Sequence, residues 1–399
     1  MNLLVIDYST RNVQFSGKTL RVENILRGLS KKYQLHYVYI KKPSENDVYK
    51  RSNEYVKSVD VIEQQMKDNL IGKLHNLVNM KPWHYAKVRF KQDYLNISSK
   101  LNDLIETYNI DLIHCFDATV AQYIDSKELP IIVDFIDSFA LHERRKEKLA
   151  NKLGDKLYHK FLSKRIFNYE TEIVSKSSAS IFVSDLDGAI FFKDDNTNKI
   201  NIICNGVNSK YFTKQGDDQT DFPSVVFTGH MSFKPNIEAV LFFYNDILPS
   251  IKKEVPDLRL FVVGAEPSKE IQDLSADTAV TVTGTVDDIR PYISKATVSV
   301  CPMLSGAGVK NKILEAMSMS KAVVSTSVGA GSLNFKSGNE ILLADTNEDF
   351  AKSVIKLVKD VGARRSIERK AREAVEQEYS WNKAIELYEN LIDQVVRGR

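Results

Sequence analysis

A strand-like run ending at Cys301 is followed by the small-residue loop Ser305-Gly306-Ala307-Gly308, then by helical periodicity from about Val309 to Met319. Residues of these types in this order suit one kind of chemistry. The first N–H groups of a helix have no partner within it, and glycines let a ligand approach them closely. Gly306, Ala307, Gly308 and Val309 are therefore candidates for an anion cradle. Lys310 and Lys312 add positive charge beside it, and Glu315 lies one to two turns into the helix. A carboxylate there can accept from both hydroxyls of a ribose. An ordinary tight turn with solvated lysines fits the spacing equally well.

The N-terminal half offers a second set. Asp134 and Asp137, in IIVDFIDSF, end a strand and begin a helix, where parallel sheets place ligands. One of them could orient an acceptor hydroxyl or meet a donor hydroxyl, or Asp137 or Ser138 could simply cap the helix. His114, near the end of Leu112–Cys115, lines the same region or is a core histidine, the commoner use. Gly17-Lys18-Thr19 invites a P-loop reading, but the position five before Gly17 is Asn12, so ATP binding is rejected. Lys18 is then a ligand contact or a solvated lysine. Asp185-Leu186-Asp187 fits DxD, yet helix capping after Ile181–Val183 explains it better. No HExxH or comparable metal spacing occurs, no GxSxG elbow, and no GxGxxG after the first strand.

Such residues need a scaffold that brings strand ends together. Twelve short apolar runs, from Leu3–Ile6 to Ile341–Leu343, alternate with helix-length amphipathic stretches such as Arg21–Leu29, Tyr94–Tyr108, Asn236–Ile251 and Asp349–Lys359. That alternation predicts an α/β protein with parallel sheets covered by helices on both faces. Twelve strands exceed one usual open sheet, so two sheets are expected. The polar, turn-rich segment NSKYFTKQGDDQTDFP, 208–223, reads as the linker. The expected organisation is residues 1–206, residues 207–378 and a helical ending, 379–399.

With 399 residues, 43% hydrophobic and 27% charged, the chain falls in the globular range. A balance of 55 basic against 52 acidic residues leaves a net charge of +3, so nucleic acid is not implied globally. The cysteines Cys115, Cys204 and Cys301 are far apart and read as buried thiols of a reducing compartment. The opening run is too short for a signal peptide and no window is long enough to span a membrane, which points to the cytosol. One local charge pattern stands out. Residues 144–165 hold nine basic and two acidic residues, with Lys148, Lys152, Lys156, Lys160 and Lys164 beside Leu149, Leu153, Leu157 and Phe161. The pattern predicts an amphipathic helix whose apolar side packs on the sheet, or else one that meets anionic lipid, with Trp83 and Phe90 nearby to help.

GAGVKNKILEAMSMSKAVVST resembles the nucleotide-sugar signature of family 4 glycosyltransferases, the retaining group with the GT-B fold. Cys204-Asn205-Gly206-Val207-Asn208 with Tyr211-Phe212, Phe227-Thr228-Gly229-His230-Met231 with Pro235-Asn236-Ile237-Glu238-Ala239, the segment Thr283 to Tyr292, and Tyr379-Ser380-Trp381 are similar to further stretches of that family. The most similar subgroup is bacterial sugar transferases of exopolysaccharide systems. The resemblance implies two doubly wound Rossmann-like domains facing a cleft, an acceptor domain and a nucleotide-sugar donor domain, with a C-terminal helix crossing back to the first. It implies transfer of a sugar from a nucleoside diphosphate to a glycan or lipid-linked acceptor hydroxyl, with no cofactor and no metal, at the inner face of a membrane. It places Glu315 on the ribose, Gly306 and Gly308 near the diphosphate, Gly284 and Val286 by the base, and Gly17 and Lys18 toward acceptor and sugar. Two departures stand: Ala307 occupies the place of the first of two family glutamates, and His230 and Pro235 those of an Arg and a Lys. His230, Lys234, Lys310 and Lys312 are then the candidates for stabilising the leaving diphosphate, Gly229 lying beside them. A GT-B scaffold without activity and a nucleotide-sugar epimerase are the alternatives.

Overall fold

The computed structural model describes residues 1–8, 17–42, 54–65, 81–82, 85–124, 128–150, 152–191, 197–214, 222–305 and 311–398. Gly306, Ala307, Gly308, Val309, Lys310 and Trp83 lie outside them. The chain divides into two compact units, Met1–Cys204 with Ile385–Arg399, and Asn205–Ala384.

The first unit is built on seven parallel strands: β1 (Asn2–Tyr8), β2 (Gln34–Lys41), β3 (Ser58–Glu63), β4 (Leu112–Phe116), β5 (Ile131–Ile136), β6 (Ala179–Phe182) and β7 (Ile200–Ile202). Their order is β3-β2-β1-β4-β5-β6-β7. Strands covered on both faces read as continuous apolar runs, as LLVI in β1 and IIVDF in β5 do. β3 escapes that reading because it is an edge strand paired only with β2. Its SVDVIE alternates polar residues with half-exposed valines, Val59 and Val61. The strand order reverses direction at β1 and β4, which opens a crevice beyond their C-terminal ends.

The second unit repeats the plan with β8 (Ser224–Thr228), β9 (Arg259–Val263), β10 (Val280–Val282), β11 (Val298–Cys301), β12 (Val323–Ser325) and β13 (Leu342–Leu343), in the order β10-β9-β8-β11-β12-β13. All are parallel, and the reversal lies between β8 and β11. The helix expected over Asn236–Ile251 runs instead as Lys234–Phe242, a wide turn Phe243–Ile247, and Leu248–Glu254. Pro249 is the local reason: it has no N–H to donate to the preceding turn.

The last helix, Trp381–Arg397, starts in the second unit and continues into the first. There Ile385 fills the space that a side chain at Gly28 would need, and Lys32 Nζ lies 3.0 Å from Asp393. Among the described residues no helix is long and apolar enough to cross a membrane.

The basic stretch at 144–165 departs from expectation. It forms two helices, Phe139–Leu149 and Leu153–Lys176, with Ala150 and Lys152 extended between them. Glu143 of the first helix meets His159 Nδ1 of the second at 2.7 Å, and Ser163 Oγ donates to the Ala140 carbonyl at 2.9 Å. These contacts make a hairpin. The periodicity runs on through the break, so the sequence pattern alone could not reveal it. The apolar side of the second helix does not pack on the sheet over its first turns: Leu153 is 73% exposed, Leu157 58% and Tyr158 61%.

Candidate functional site

In the second unit Gly229, His230 and Lys312, of the predicted residues, come together at the reversal point. β8 leads directly into Gly229 and His230, and β11 leads toward the helix Asn311–Ser318. Gly229 N–H donates to the Val263 carbonyl at 3.0 Å, and the two chains run so close that a Cβ on Gly264 would sit 1.7 Å from the Gly229 oxygen. A Cβ on Gly229 would fall 2.8 Å from Asn236 Nδ2 and 3.1 Å from Lys312 Nζ. Glycine at 229 therefore leaves room for a cation and an amide beside the strand end.

Lys312 is the best-positioned cation. Its Nζ donates to Asn236 Oδ1 at 2.8 Å and lies 3.8 Å above the Phe227 ring centre. Asn236 Nδ2 in turn donates to the His230 carbonyl at 2.9 Å. Asn236 thus ties β8's exit loop to the helix after β11. The sequence drew notice to its segment, but nothing in spacing marked this side chain as the bridge. On the same helix, one turn on, sits Glu315, half-buried and with no hydrogen-bond partner among the described residues. Burial pushes its carboxyl up to about 7, although Lys312 pulls the other way. A carboxyl kept short of partners can accept a ligand's hydroxyls.

His230 and Lys234 are placed less firmly. The His230 ring is half exposed, 2.9 Å from Ser232 Oγ and 3.8 Å from Glu266. Lys234 is 86% exposed and 3.7 Å from Glu238, which accepts from Ser305 Oγ at 3.1 Å. Gly284 ends the turn after β10 at φ +68, a left-handed conformation that favours glycine. Val286 packs partly buried against Val226, Val263 and Ala296.

In the first unit, Gly17 opens the helix Gly17–Leu29, and Lys18 turns back to the ends of β1 and β4. Lys18 Nζ lies 2.9 Å from Asp7, 3.1 Å from the Tyr8 carbonyl and 3.9 Å from Asp117. It is not a solvated lysine: burial would lower its pKa, and the two carboxylates outweigh that and hold it up. Asp117 has φ +86 and ψ 138, a conformation that non-glycine residues rarely adopt, and its side chain accepts from Thr119 N–H. Strain of this kind persists where the surroundings impose it, and it clusters at ligand sites. Neither Asp7 nor Asp117 showed in the sequence, because strand-end carboxylates look like any others until the sheet is assembled.

Asp134 and His114 are used differently from the acceptor-side expectation. Asp134 is fully buried, 2.7 Å from Arg21 Nε and hydrogen-bonded to the Tyr388 hydroxyl, while Arg21 Nη2 donates to Tyr388 at 3.0 Å. The carboxylate therefore holds the returning C-terminal helix to the sheet. His114 is buried between the rings of Phe116 and Tyr388, its Nε2 without a partner among the described residues. Desolvation lowers its pKa to about 4, so it is neutral in the core. Asp137 remains half-buried at the bend after β5, where Ser138 supplies the cap, its Oγ accepting from Leu141 N–H at 3.2 Å. In the DxD-like segment Ser184 is likewise the cap and Asp187 is buried, accepting from Ser184 Oγ. Among the described residues no group of three or more His, Cys, Asp or Glu could hold a metal ion.

Comparison with known proteins bears on the fold. Residues 222–360 match the family described as glycosyl transferases group 1. An uncharacterised 44.6 kDa protein in the cps region of Klebsiella pneumoniae is 27% identical over 168 residues, 40% of this chain and 43% of that protein. An uncharacterised glycosyltransferase of Methanocaldococcus jannaschii is 24% identical over 266 residues, 62% of this chain and 66% of that one. The matches thus span less than two thirds of the length of these curated relatives. Sucrose-phosphate synthase from Thermosynechococcus elongatus superposes with a TM-score of 0.69 at 16% identity, over 99% of this chain and 100% of that one. Anabaena HepE in complex with UDP gives 0.69 at 13%, again over 99% and 100%. S. aureus TarM, in a complex with alpha-GlcNAc-glycerol and UDP, gives 0.67 at 12%, over 98% and 99%. The fold is GT-B, with Rossmann-like units of seven and six parallel strands.

Proposed function

We propose that this chain, which carries a group 1 glycosyl transferase match over residues 222–360, moves a sugar from a nucleoside-diphosphate sugar to an acceptor hydroxyl in surface glycan synthesis. The observation that carries the reading is one helix, Asn311–Ser318, at the reversal point of a parallel sheet. It presents a fixed cation, Lys312, and a carboxyl without a hydrogen-bond partner among the described residues, Glu315, on successive turns. In the reaction the bond from the anomeric carbon to the diphosphate oxygen breaks and its electron pair leaves with the diphosphate. The acceptor oxygen forms the new bond and gives its proton to the departing phosphate, on the same face if configuration is retained. Negative charge grows on the diphosphate, and cations fixed before reaction are the strongest available lever. Lys312 supplies one here, with Lys310, His230 and Lys234 as further candidates and Gly306 to Val309 offering amides. Glu315 holds the ribose, Gly284 and Val286 border the base, and Asp137 with Gly17 and Lys18 faces the acceptor side. The scheme calls on no metal. HepE and TarM are described as complexes with UDP, which makes UDP the first nucleotide to try. The acceptor is proposed to be lipid-linked and met at the inner face of a membrane, with residues 144–165 in peripheral contact.

The test is melting temperature against UDP, GDP, dTDP, CMP and their sugar conjugates, with NAD and ATP as controls. A ligand at 100 times its dissociation constant adds about 2.7 kcal/mol to the folded state. A shift with one nucleoside diphosphate that shrinks in Glu315→Ala supports the reading. No shift with any of them would put a scaffold without activity in its place.

A further inference from the structure

At the tip of the helical hairpin Phe139–Leu149 and Leu153–Lys176 large apolar side chains stand exposed, with the Arg165 guanidinium 5.4 Å from the Phe161 ring centre. Leu153, Leu157 and Phe161 recur every fourth residue and are 73%, 58% and 39% exposed, with Tyr158 at 61% beside them. The first buried residue of this helix is Ser163. Lys152, Lys156, Lys160 and Lys164 each precede or follow that row by one or three positions, about 100° around the helix on one side. An apolar row and a basic row therefore run side by side along the same exposed turns. None of these four lysines forms an ion pair among the described residues, although Lys146 and His159 are held by Glu143. The facing helix adds Arg145 and Lys148, while Arg144 lies over the Phe167 ring; the acidic residues of the stretch are Glu143, which is taken up by Lys146 and His159, Glu147 and Asp155, so basic residues outnumber acidic ones about the tip.

We infer that this hairpin tip docks into an anionic lipid bilayer, the lysines on headgroup phosphates and Leu153, Leu157, Tyr158 and Phe161 entering the boundary of the acyl chains. Charge decides the occupant. A second copy of the chain would bring its own basic row against this one, and like charges without counter-ions repel. An acidic glycan or a nucleic acid would satisfy the lysines but leave the aliphatic row in water. Only a surface with anionic heads above apolar tails matches both rows at once. Leu153 and Leu157 stand ten and six positions before the first buried residue of their own helix, and among the described residues nothing covers them. This deepens the membrane contact of the proposed function and rests on that reading for its biological setting; the binding itself needs neither donor nor acceptor.

The experiment is flotation of the full chain with vesicles of phosphatidylcholine alone or with 30% phosphatidylglycerol, at low and high salt. The expected result is binding only to the anionic vesicles, with a fraction that persists in high salt. Lys156→Gln with Lys160→Gln lowers affinity by about 30-fold. Leu153→Ser with Leu157→Ser and Phe161→Ser removes the salt-resistant fraction and costs about tenfold or more. Both variants change only exposed residues, and an unchanged melting temperature and nucleotide response verifies their fold separately from the transferase reading. Equal binding to neutral vesicles, no binding, binding indifferent to either variant, or a dimer in solution that the serine variant dissolves would each overturn the inference.

Discussion

Replacing Glu315 by glutamine separates the cost of its burial from its use. Burial holds this carboxyl at about 7 against an ordinary 4.5, with Lys312 opposing. Between those values the folded state keeps a proton that the unfolded chain has already released. Stability therefore falls as pH rises from 4.5 through 7 and levels off above it. The full gap corresponds to a ceiling of about 3 kcal/mol. The side chain is half-buried, and screening by water reduces the expected cost to about 1–2 kcal/mol. Glu315→Gln should thus equal the parent near pH 4.5 and exceed it by that amount at pH 8, in urea unfolding followed at both values. Nucleotide binding should move the other way. Ribose hydroxyls donate to the ionised carboxylate, so binding UDP at pH 7 should release about half a proton from the parent protein and none from the variant. Calorimetry in two buffers of different ionisation enthalpy reads that number directly. A variant less stable than the parent at pH 8, or the same proton release in both proteins, would refute the reasoning.

Two further substitutions test the frame around the sites. Arg21→Met leaves Asp134 charged, buried and short of its partner, and should cost about 3–5 kcal/mol in the first unit, partly restored by adding Asp134→Leu; a loss under 1 kcal/mol in urea unfolding would show that Tyr388 alone satisfies the carboxylate. Gly264→Ala places a methyl 1.7 Å from the Gly229 oxygen at φ +151 and should cost about 3 kcal/mol with loss of nucleotide response, whereas Gly284→Ala, with open space around its φ of +68, should cost only about 1 kcal/mol.

The sheets were legible because parallel strands buried on both faces leave continuous apolar runs, and each of the twelve predicted runs overlaps a strand. β3 was missed because an edge strand needs only one buried side. The loop-to-helix step after β11, with Lys312 and Glu315, was legible as a local motif, since one short segment contains it. What no window contained were the partners. Asn236 meets Lys312 across 76 residues, and Asp7 and Asp117 converge on Lys18 only when β1 and β4 lie side by side. Asp134 had the right position at a strand end to suggest a ligand contact, yet Arg21 and Tyr388, the latter 254 residues away, claim it for the core. The basic stretch shows the same division. Its 3.6-residue repeat was set by the sequence, but whether the apolar side faced a sheet or solvent depended on the hairpin closed by Glu143 and His159. Periodicity and motif chemistry act over a few residues and are written along the chain; burial and pairing depend on neighbours brought close by folding, and only the tertiary structure decides them.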